Sequence, residues 1–328
     1  MKTDIYFYIP REHWPDPLPG PDNPTWTGYS EGIYCWTLQT YYLLKKHGVE
    51  CHLTQELPKR GVIIAHRGLL PDSLKPRYGQ YLICIQADWS RHPFAYDHIA
   101  QNLAQTKQTG VPKLMRYFRP GVTHFVRLWA QAGITPRDAH RPKQLRSLSY
   151  FGLDLNLAEE LKSADWHNFL ADLGIRWNVV TQRDRWGDYS ETDATLFVRD
   201  FKGQKHTNKP ATKLYNAWIA NTLPICTEES AYLDEIDGPQ QAVVIESYED
   251  LKQQVRTIAN KPELFAQYLQ QGAIKAPHYT NAAIAAQWQS ILDCYENFPI
   301  SRSDYVTFMI ARHMAYYLDK TLRRILKR

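Results

Sequence analysis

The stretch that decides the fold is residues 209 to 236, KPATKLYNAWIANTLPICTEESAYLDEI. Pro210 suits the first turn of a helix because its missing N–H would have no partner there, and Asn208 before it is a competent N-cap. The apolar positions that follow recur at helical spacing, at Ala211, Leu214, Tyr215 and Trp218. An apolar run at 223–227 is typical of a buried strand. The stretch therefore predicts a helix that begins near Asn208 and leads into a strand of a parallel sheet.

Two lysines lie in the first turns of this predicted helix. Lys209 and Lys213 oppose the positive end of the helix dipole, which is unfavourable unless a bound anion offsets the repulsion. Arg199 follows a predicted strand at 194–198, and its guanidinium matches the oxygens of a phosphate. Ligands of open α/β sheets collect beyond the carboxyl ends of the strands. The three cations together predict a phosphate site.

The order Lys-Leu-Tyr-Asn-Ala-Trp at 213–218, Leu-Pro-Ile at 223–225 and Glu-Ser-Ala-Tyr at 229–232 resembles the donor-binding segment of GT-B glycosyltransferases. In that family the segment grips the diphosphate and sugar of a nucleotide-sugar. A weaker resemblance extends over most of residues 1 to 295. It implies an α/β protein with two Rossmann-like parallel-sheet domains that face a cleft, and a C-terminal helical tail.

The resemblance also implies which residues hold the donor. The cations and the start of the helix would bind the diphosphate, the residues after the second strand would hold sugar or ribose hydroxyls, and a glycine-bearing loop would approach the phosphates. The implied donor-binding residues are Gly28, Gly32, Arg199, Asn208, Lys209, Thr212, Lys213, Glu229 and Ser230. The nucleotide-diphosphate sugar is a substrate, so neither a cofactor nor a metal is expected.

Two features depart from the family pattern. Asn221 and Thr222 stand where the family usually has one glycine. Retaining GT-B enzymes often carry two glutamates eight positions apart, and the matching places here are Asn208 and Asn216. Because neither is a carboxylate, the sequence leaves open whether the sugar is transferred with retention or inversion.

Three residues are candidates for the base that takes the proton of an acceptor hydroxyl. That role requires a carboxylate or an imidazole within hydrogen-bond reach. Asp88 follows a predicted strand at 81–85 and is the favoured candidate. His66, at the end of a predicted strand, and Glu31, in the glycine-bearing loop, are the alternatives. Each has an ordinary structural explanation as well, as a turn residue or a buried histidine.

Alternating strands and helices predict a parallel sheet in each half of the chain. We expect an acceptor domain at 1–140, a nucleotide-sugar domain at 141–285 and C-terminal helices at 286–328. The helices predicted in detail include 33–47, 98–108 and 157–173. The acidic run 188–193 is interpreted as a helix cap on a solvated face.

Composition limits the class of protein. A chain of 328 residues is long enough for two domains. Five scattered cysteines without a C-x-x-C pair favour a reducing compartment and argue against a structural zinc site. No stretch has the roughly 18 consecutive apolar residues of a membrane span. We therefore expect a cytoplasmic protein.

The tail, residues 301–328, carries the net charge of the chain. It holds seven basic residues and two aspartates, so the remainder of the chain is neutral at a total net charge of +5. A nucleic-acid reader would usually spread basic charge over a whole face, so nucleic acid is not expected as a partner. The tail also has near-helical apolar spacing. It could lie peripherally on the inner face of a membrane or pack across the N-terminal domain.

The sequence thus predicts a metal-independent glycosyltransferase that moves a hexosyl or deoxyhexosyl group from a nucleotide-diphosphate donor to an acceptor hydroxyl. The acceptor class stays open among glycans, lipids and small molecules. The alternative is a catalytically silent GT-B-like module that binds a glycan or a protein. A sugar-nucleotide epimerase is a weaker alternative, because neither a Tyr-x-x-x-Lys pair at a suitable strand end nor a dinucleotide fingerprint is evident.

Overall fold

The computed structural model describes most of the chain in two compact units. The described residues are 2–21, 23, 26–107, 121–297 and 301–326, without the side chains of 319 and 322–326. The first unit comprises Met1–Asp22, Glu31–Val126 and Ala285–Arg328. The second comprises Asn23–Ser30 and Arg127–Ile284.

The first unit is built on a six-stranded sheet in which every pairing is parallel. Its strands are β1 (Ile5–Tyr8), β2 (His52–Thr54), β3 (Gly61–His66), β4 (Gln80–Ile85), β5 (Asp97–Ala100) and β6 (Thr123–Phe125). They lie in the order β2-β1-β3-β4-β5-β6. Strands β3 and β4 are buried at every position, which explains why they are nearly continuous apolar runs instead of alternating ones.

The helices of the first unit differ in part from the prediction. Helix α1 (Gly32–Tyr34), a π-helical segment (Cys35–Gln39) and α2 (Thr40–Lys46) form the predicted helical run at 33–47. The predicted helix at 98–108 is wrong within the described residues, because it begins in strand β5 and only α3 (Leu103–Thr106) is helical. Pairing with β4 decides this, since Ile83 lies opposite Asp97 and Ile85 opposite Ile99. Residue 108 lies outside the described residues.

The second unit contains a five-stranded sheet that is also entirely parallel. Its strands are β7 (Ser147–Phe151), β8 (Arg176–Val180), β9 (Ala194–Phe197), β10 (Leu223–Thr227) and β11 (Val243–Ile245), in the order β11-β10-β9-β7-β8. Its helices are α4 (Ala164–Asp172), α5 (Thr212–Ile219), α6 (Ser230–Leu233), α7 (Tyr248–Ala259) and α8 (Pro262–Lys275). Helices α9 (Asn281–Leu292) and α10 (Arg302–Leu326) follow along the chain, and α10 and most of α9 belong to the first unit. Two parallel sheets with C-terminal helices confirm the predicted fold class.

Short 3-10 helices connect these elements. They span Arg11–His13, Thr27–Ser30, Arg67–Leu69, Asp154–Asn156, Glu159–Lys162, Arg183–Arg185, Ala276–Tyr279 and Asp293–Tyr295. One of them shortens the helix predicted at 157–173. Ser163 has extended backbone angles and its hydroxyl accepts from the N–H of Trp166, so it is the N-cap of α4 and separates the 3-10 helix before it.

Helix α5 begins later than the sequence indicates. The N–H of Lys209 donates to the carbonyl of His206 at 2.9 Å, within a turn. A residue that precedes proline is disfavoured in the helical conformation, so Pro210 keeps Lys209 out of the helix. The first helical bonds run from Leu214 and Tyr215 to the carbonyl of Ala211, which is the N-cap. The prediction of a helix start near Asn208 is therefore wrong.

Helix α10 packs against the rest of the first unit through one of its faces. The ring of Phe308 stacks on Tyr96 with centroids 3.6 Å apart, and Ala315 is buried as well. The opposite face exposes apolar side chains, namely Val306, Ile310, Met314, Tyr317 and Leu318. Packing across the first unit was one of the two expectations for the tail. The exposed apolar face lies on the other side of the same helix.

The acidic run 188–193 does not form a solvated face at its last residue. Asp193 is 1% exposed, and its carboxylate lies 2.9 Å from both the Arg137 and the Arg141 guanidinium groups. It also accepts from the N–H of Arg146 at 2.9 Å and the hydroxyl of Ser147 at 3.1 Å. Burial opposes this charge, but the hydrogen bonds hold the pKa of Asp193 below its usual value. The interpretation as a solvated face is wrong for Asp193, which joins the segment before β7 to the start of β9, whereas Asp188 and Glu191 are exposed.

Replacing Asp193 by Asn tests this cluster. The substitution keeps the shape but leaves two buried or half-buried guanidinium groups without their counter-charge. We expect the free energy of unfolding to fall by about 3 kcal/mol at neutral pH, measured by urea denaturation. Because the folded-state pKa is lowered, the deficit should shrink as acid protonates the wild-type carboxylate. Asp184→Asn, at an exposed aspartate of the same unit, is the control and should change little.

Candidate functional site

Three neighbouring strands of the second sheet end beside the start of helix α5. Strands β7, β9 and β10 are parallel and adjacent, so their carboxyl ends meet at one edge. Tyr150 and Gly152 belong to the end of β7, Arg199 follows β9, and Glu229 follows β10. Lys213 is the second residue of α5. The loops at such an edge are where open parallel sheets bind ligands.

A buried ion pair forms the centre of this cluster. Nε of Arg199 lies 3.2 Å from Oε1 of Glu229, whose side chain is 1% exposed. Burial raises the pKa of Glu229, and the charges of Arg199, His206 and Lys213 oppose that shift. In the described part of the chain, Oε2 of Glu229 has no hydrogen-bond partner. A buried carboxylate oxygen without a hydrogen bond destabilises the folded protein unless a ligand supplies a donor.

Lys213 lies against the same cluster from the helix side. Its ammonium nitrogen is 4.3 Å from the centroid of the Tyr150 ring, a cation–π contact. Burial and the Arg199 charge lower the pKa of Lys213 to about 7, against the attraction of Glu229. At neutral pH a large share of Lys213 is therefore uncharged. A bound anion would raise this pKa again and draw a proton onto the lysine.

Gly152 makes room for the lysine. Its φ is +153°, and a Cβ there would lie 3.1 Å from Nζ of Lys213 and 2.7 Å from the hydroxyl oxygen of Tyr150. The second contact is shorter than real Cβ atoms show, so a side chain would displace the ring or the strand end. Glycine at this position thus keeps Tyr150 and Lys213 in contact.

The start of helix α5 adds donors to this edge. The helix has no side-chain cap at Ala211 and no acidic residue in its first turn. The first N–H groups of a helix lack partners within it, and the dipole there favours an anion. The buried hydroxyl of Thr212 has no hydrogen-bond partner among the described residues. Cations, free N–H groups and a hydroxyl at one place are the chemistry of an anion site.

The other residues predicted to bind the donor have separate surroundings. Lys209 and Asn208 are half-buried and precede α5 in the turn that follows His206. Ser230 begins the short helix α6, and its N–H donates to the carbonyl of Lys205 at 2.8 Å. The Asn216 amide is buried, and its Oδ1 accepts from the N–H of Gln131 at 2.9 Å.

The predicted glycine-bearing loop is divided between the units. Gly28 belongs to the second unit, where a Cβ would clash with the ring of Trp26. In the same unit the hydroxyl of Ser30 accepts from Arg183 at 3.2 Å. Gly32 belongs to the first unit, where a Cβ would lie 3.2 Å from Nε2 of His66. The two glycines therefore make room for different aromatic rings.

Asp88 projects from a strained turn in the first unit. The preceding residue, Ala87, has φ +47°, a conformation that is uncommon for residues other than glycine. Oδ1 of the exposed Asp88 accepts from Nε2 of Gln101 at 2.6 Å. Oε1 of the buried Gln101 accepts in turn from the indole of Trp36 at 3.2 Å. This chain of hydrogen bonds fixes the carboxylate while leaving it open to solvent.

His66 lies close to Asp88 but is buried. Its Nδ1 accepts from the N–H of Gly68 at 3.1 Å. Burial lowers the pKa of His66 to about 4, against the pull of the Asp88 charge and with the help of Arg67. A neutral imidazole has one acceptor nitrogen, so Nε2 carries the hydrogen and is a donor. Glu31 is exposed, and its carbonyl accepts the first bonds of the helical run that starts at Gly32.

Sequence reasoning missed several members of both clusters. Tyr150 and Gly152 follow the same strand-end rule that identified Arg199, so that rule could have found them. Gln101 and Trp36 are far from Asp88 along the chain, and no local pattern connects them. Their role follows only from the packing of the first unit.

Two kinds of feature are absent from the described part of the chain. Nowhere in it do three or more histidine, cysteine, aspartate or glutamate side chains group so that they could hold a metal ion. None of its helices combines the length and apolar content that a membrane crossing requires.

Comparison with known proteins gives likeness in structure only. No protein-family model and no curated protein matches the chain. Among solved structures, Anabaena HepE in complex with UDP is 10% identical at a TM-score of 0.48, over 89% of this chain and 100% of HepE. TarM is 10% identical at a TM-score of 0.48, over 79% of this chain. Sucrose-phosphate synthase from Thermosynechococcus elongatus is 11% identical at 0.47, over 80% of this chain and 77% of the synthase.

These solved structures are GT-B glycosyltransferases. The chain spans 58% of the length of TarM and the whole length of HepE. Likeness at this level of identity and TM-score supports no conclusion about what this chain binds or catalyses.

The lowered pKa of Lys213 makes a testable prediction for stability. Between about pH 7 and the usual lysine pKa, the unfolded chain holds a proton that the folded one has lost, so the stability of the wild type should rise with pH. Relative to Lys213→Met, we expect a gain of at most about 1.4 kcal/mol per pH unit, reduced by solvent because the side chain is only half-buried. Urea denaturation from about pH 6 to about pH 9 measures this.

The matched control for this series is Lys202→Met, which removes an exposed lysine of the same unit. The difference in free energy of unfolding between Lys202→Met and the wild type should not change with pH as that of Lys213→Met does. A stability difference for Lys213→Met that stays constant across the range would show that Lys213 keeps an ordinary pKa.

Proposed function

We propose that this protein is a glycosyltransferase whose second unit binds a nucleotide-diphosphate sugar. The observation that carries the proposal is the convergence of Arg199 and Lys213 on a buried carboxylate, Glu229, beside the uncapped start of α5. Two cations and the start of a helix can bind a diphosphate. A carboxylate oxygen without a partner can accept a hydrogen bond from a hydroxyl. A nucleotide-sugar has both a diphosphate and hydroxyl groups.

The cations act on the leaving group. When the bond between the anomeric carbon and the diphosphate oxygen breaks, the diphosphate keeps the electron pair and its negative charge grows. Arg199 is permanently charged, and Lys213 becomes fully charged as it takes up a proton beside the phosphates. Fixed positive groups aimed at a developing charge are among the largest contributions that a protein makes to catalysis. The first N–H groups of α5 add to them.

Glu229 sets the orientation of the donor. A carboxylate repels the diphosphate, so the phosphates belong on the side of Lys213 and the helix start. Oε2 of Glu229 is left to accept a hydrogen bond from a hydroxyl of the sugar or the ribose. Ser230 follows Glu229 directly and is a second candidate for such a hydroxyl.

Asp88 is the proposed base for the acceptor. The acceptor oxygen forms a bond to the anomeric carbon, and its proton passes to the Asp88 carboxylate as the diphosphate departs. Asp88 is exposed and fixed by Gln101, whereas His66 presents an N–H donor and stays neutral. These differences favour Asp88 over His66.

The acceptor class and the cellular location stay predictions. A glycan, a lipid or a small molecule would each offer the hydroxyl that the mechanism needs. The five cysteines are free thiols, four of them buried, as expected in a reducing cytoplasm. Peripheral contact with a membrane through 301–328 remains a prediction for the exposed face of α10.

Nucleotide binding is the first test. Calorimetric titration with UDP and GDP should show binding to the wild type that takes up protons near pH 8, because Lys213 gains a charge in the complex. Lys213→Ala and Arg199→Ala should each weaken binding by about tenfold to a hundredfold, the value of a charge-assisted hydrogen bond. Lys202→Ala, at an exposed lysine of the same unit, is the control and should bind as the wild type does. Absence of binding by any common nucleoside diphosphate would refute the proposal.

A second test concerns the base. Asp88→Asn should lower the rate of sugar transfer by about a hundredfold or more while nucleotide affinity is unchanged, because only proton removal is lost. His66→Gln and Glu31→Gln are the matched comparisons and should retain more activity. Release of nucleoside diphosphate from a donor screen measures the rate. If Asp88→Asn is as active as the wild type, the base lies elsewhere, and if no donor is ever consumed, the chain is a binding module.

A further inference from the structure

A basic cavity lies in the first unit, between helix α10 and the loops that follow β3 and β4. Its volume is about 330 Å³. Arg67 and Asp72 come from the loop after β3, and Arg91 and His92 from the loop after β4. Helix α10 contributes Arg312 and Lys320, among other side chains. None of these residues has a role in the proposed transfer of a sugar.

The charges that line this cavity are unbalanced. Arg67, Arg91, Arg312 and Lys320 are positive, and Asp72 is the only carboxylate in the described lining, so the local charge is +3. His92 adds no charge at neutral pH. Burial lowers the pKa of His92 to about 4, and its Nδ1 accepts from the N–H of Phe94 while Nε2 lies 3.1 Å from the carbonyl oxygen of Pro71.

The guanidinium groups are held in place by the surrounding backbone. Nη2 of Arg312, a residue only 2% exposed, donates to the carbonyls of Ala95 at 2.9 Å and Tyr96 at 3.2 Å. Nη1 of Arg91 donates to the hydroxyl of Thr123 at 2.7 Å. Nε of Arg67 donates to the carbonyl of Ser90 at 3.2 Å, and its Nη2 pairs with Asp72. Fixed cations lose little freedom on binding, which favours affinity.

The size and charge of the cavity restrict the ligand. A volume of about 330 Å³ is at the lower end of the range for small-molecule sites. It has room for one phosphate group with a small substituent. An excess of +3 attracts a doubly charged anion more strongly than a singly charged one, and a phosphate monoester is largely a dianion at neutral pH. Arginine forks also match phosphate oxygens in geometry.

We propose that the cavity between α10 and the loops after β3 and β4 binds a phosphate monoester, through Arg91, Arg312 and Lys320. The phosphate belongs either to a soluble compound such as a sugar phosphate or to a lipid headgroup. The site is separate from the proposed donor site, which is built from residues of the second unit.

Titration calorimetry with inorganic phosphate and glucose 6-phosphate tests the proposal, with glucose as the uncharged control. Arg91→Gln should weaken the affinity of the phosphates by about tenfold or more, and Lys320→Ala by about threefold because that lysine is exposed. Lys320→Ala cannot disturb the core, so it keeps the test valid if Arg91→Gln unfolds. Lys202→Ala, with the same charge change in the second unit, should leave phosphate affinity unaltered.

Co-sedimentation with phosphatidylcholine vesicles, with and without phosphatidic acid, distinguishes the source of the phosphate. Binding only to vesicles with phosphatidic acid, and its loss in Arg91→Gln and Lys320→Ala, would identify a lipid headgroup. Saturable binding of glucose 6-phosphate with the same variant pattern would identify a soluble ligand. Phosphate affinity that is equal in all the variants, or no binding of any phosphate probe, would overturn the proposal.

UDP titration of the same variants separates this site from the donor site. Arg91→Gln and Lys320→Ala should bind UDP as the wild type does. A common loss of UDP and phosphate binding in these variants would instead mean that the cavity is not an independent site.

Discussion

A carboxylate buried at the edge of the second sheet is the constraint on which the candidate site depends. Glu229 has lost its contact with water, and a buried charge needs nearby counter-charges. Arg199 and Lys213 supply them from β9 and α5. The arrangement works only because parallel strands end side by side, which brings residues 30 positions apart into contact. Gly152 and Tyr150 then determine where the lysine can lie.

Two buried carboxylates of the second unit show how environment separates a structural role from a candidate functional one. Asp193 accepts hydrogen bonds from two guanidinium groups, a backbone N–H and a hydroxyl, and its pKa is lowered. Glu229 has one ion pair and an oxygen without a partner, and its pKa is raised. The complete set of hydrogen bonds to Asp193 stabilises the fold. The set around Glu229 is incomplete, and a ligand could supply the missing hydrogen bond.

In the first unit, environment also separates a structural role from a candidate functional one among the groups that could accept a proton. The charge of Asp88 opposes the lowering of the His66 pKa, yet burial keeps the imidazole neutral, whereas the Asp88 carboxylate lies at the surface. The strained Ala87 and the hydrogen bond from Gln101 fix the carboxylate outside the core. Strain of this kind persists only where the surrounding structure enforces it, and it is more frequent at functional sites than elsewhere.

The sequence by itself determined most of the strands, the parallel character of both sheets and the candidate residues at strand ends, because buried parallel strands are apolar runs and ligand-binding residues follow them. It missed β5, which it predicted as part of a helix, and β6. It placed Arg199 and Glu229 correctly after two of the strands and Lys213 in the first turn of a helix, and it extended the helices at 98–108 and 157–173 too far. Only the tertiary structure decided that Asp193 is buried, that Gln101 supports Asp88, and that Arg312 donates to the loop after β4. These facts depend on contacts between residues distant along the chain, and no local pattern records the burial that sets their charges and hydrogen bonds.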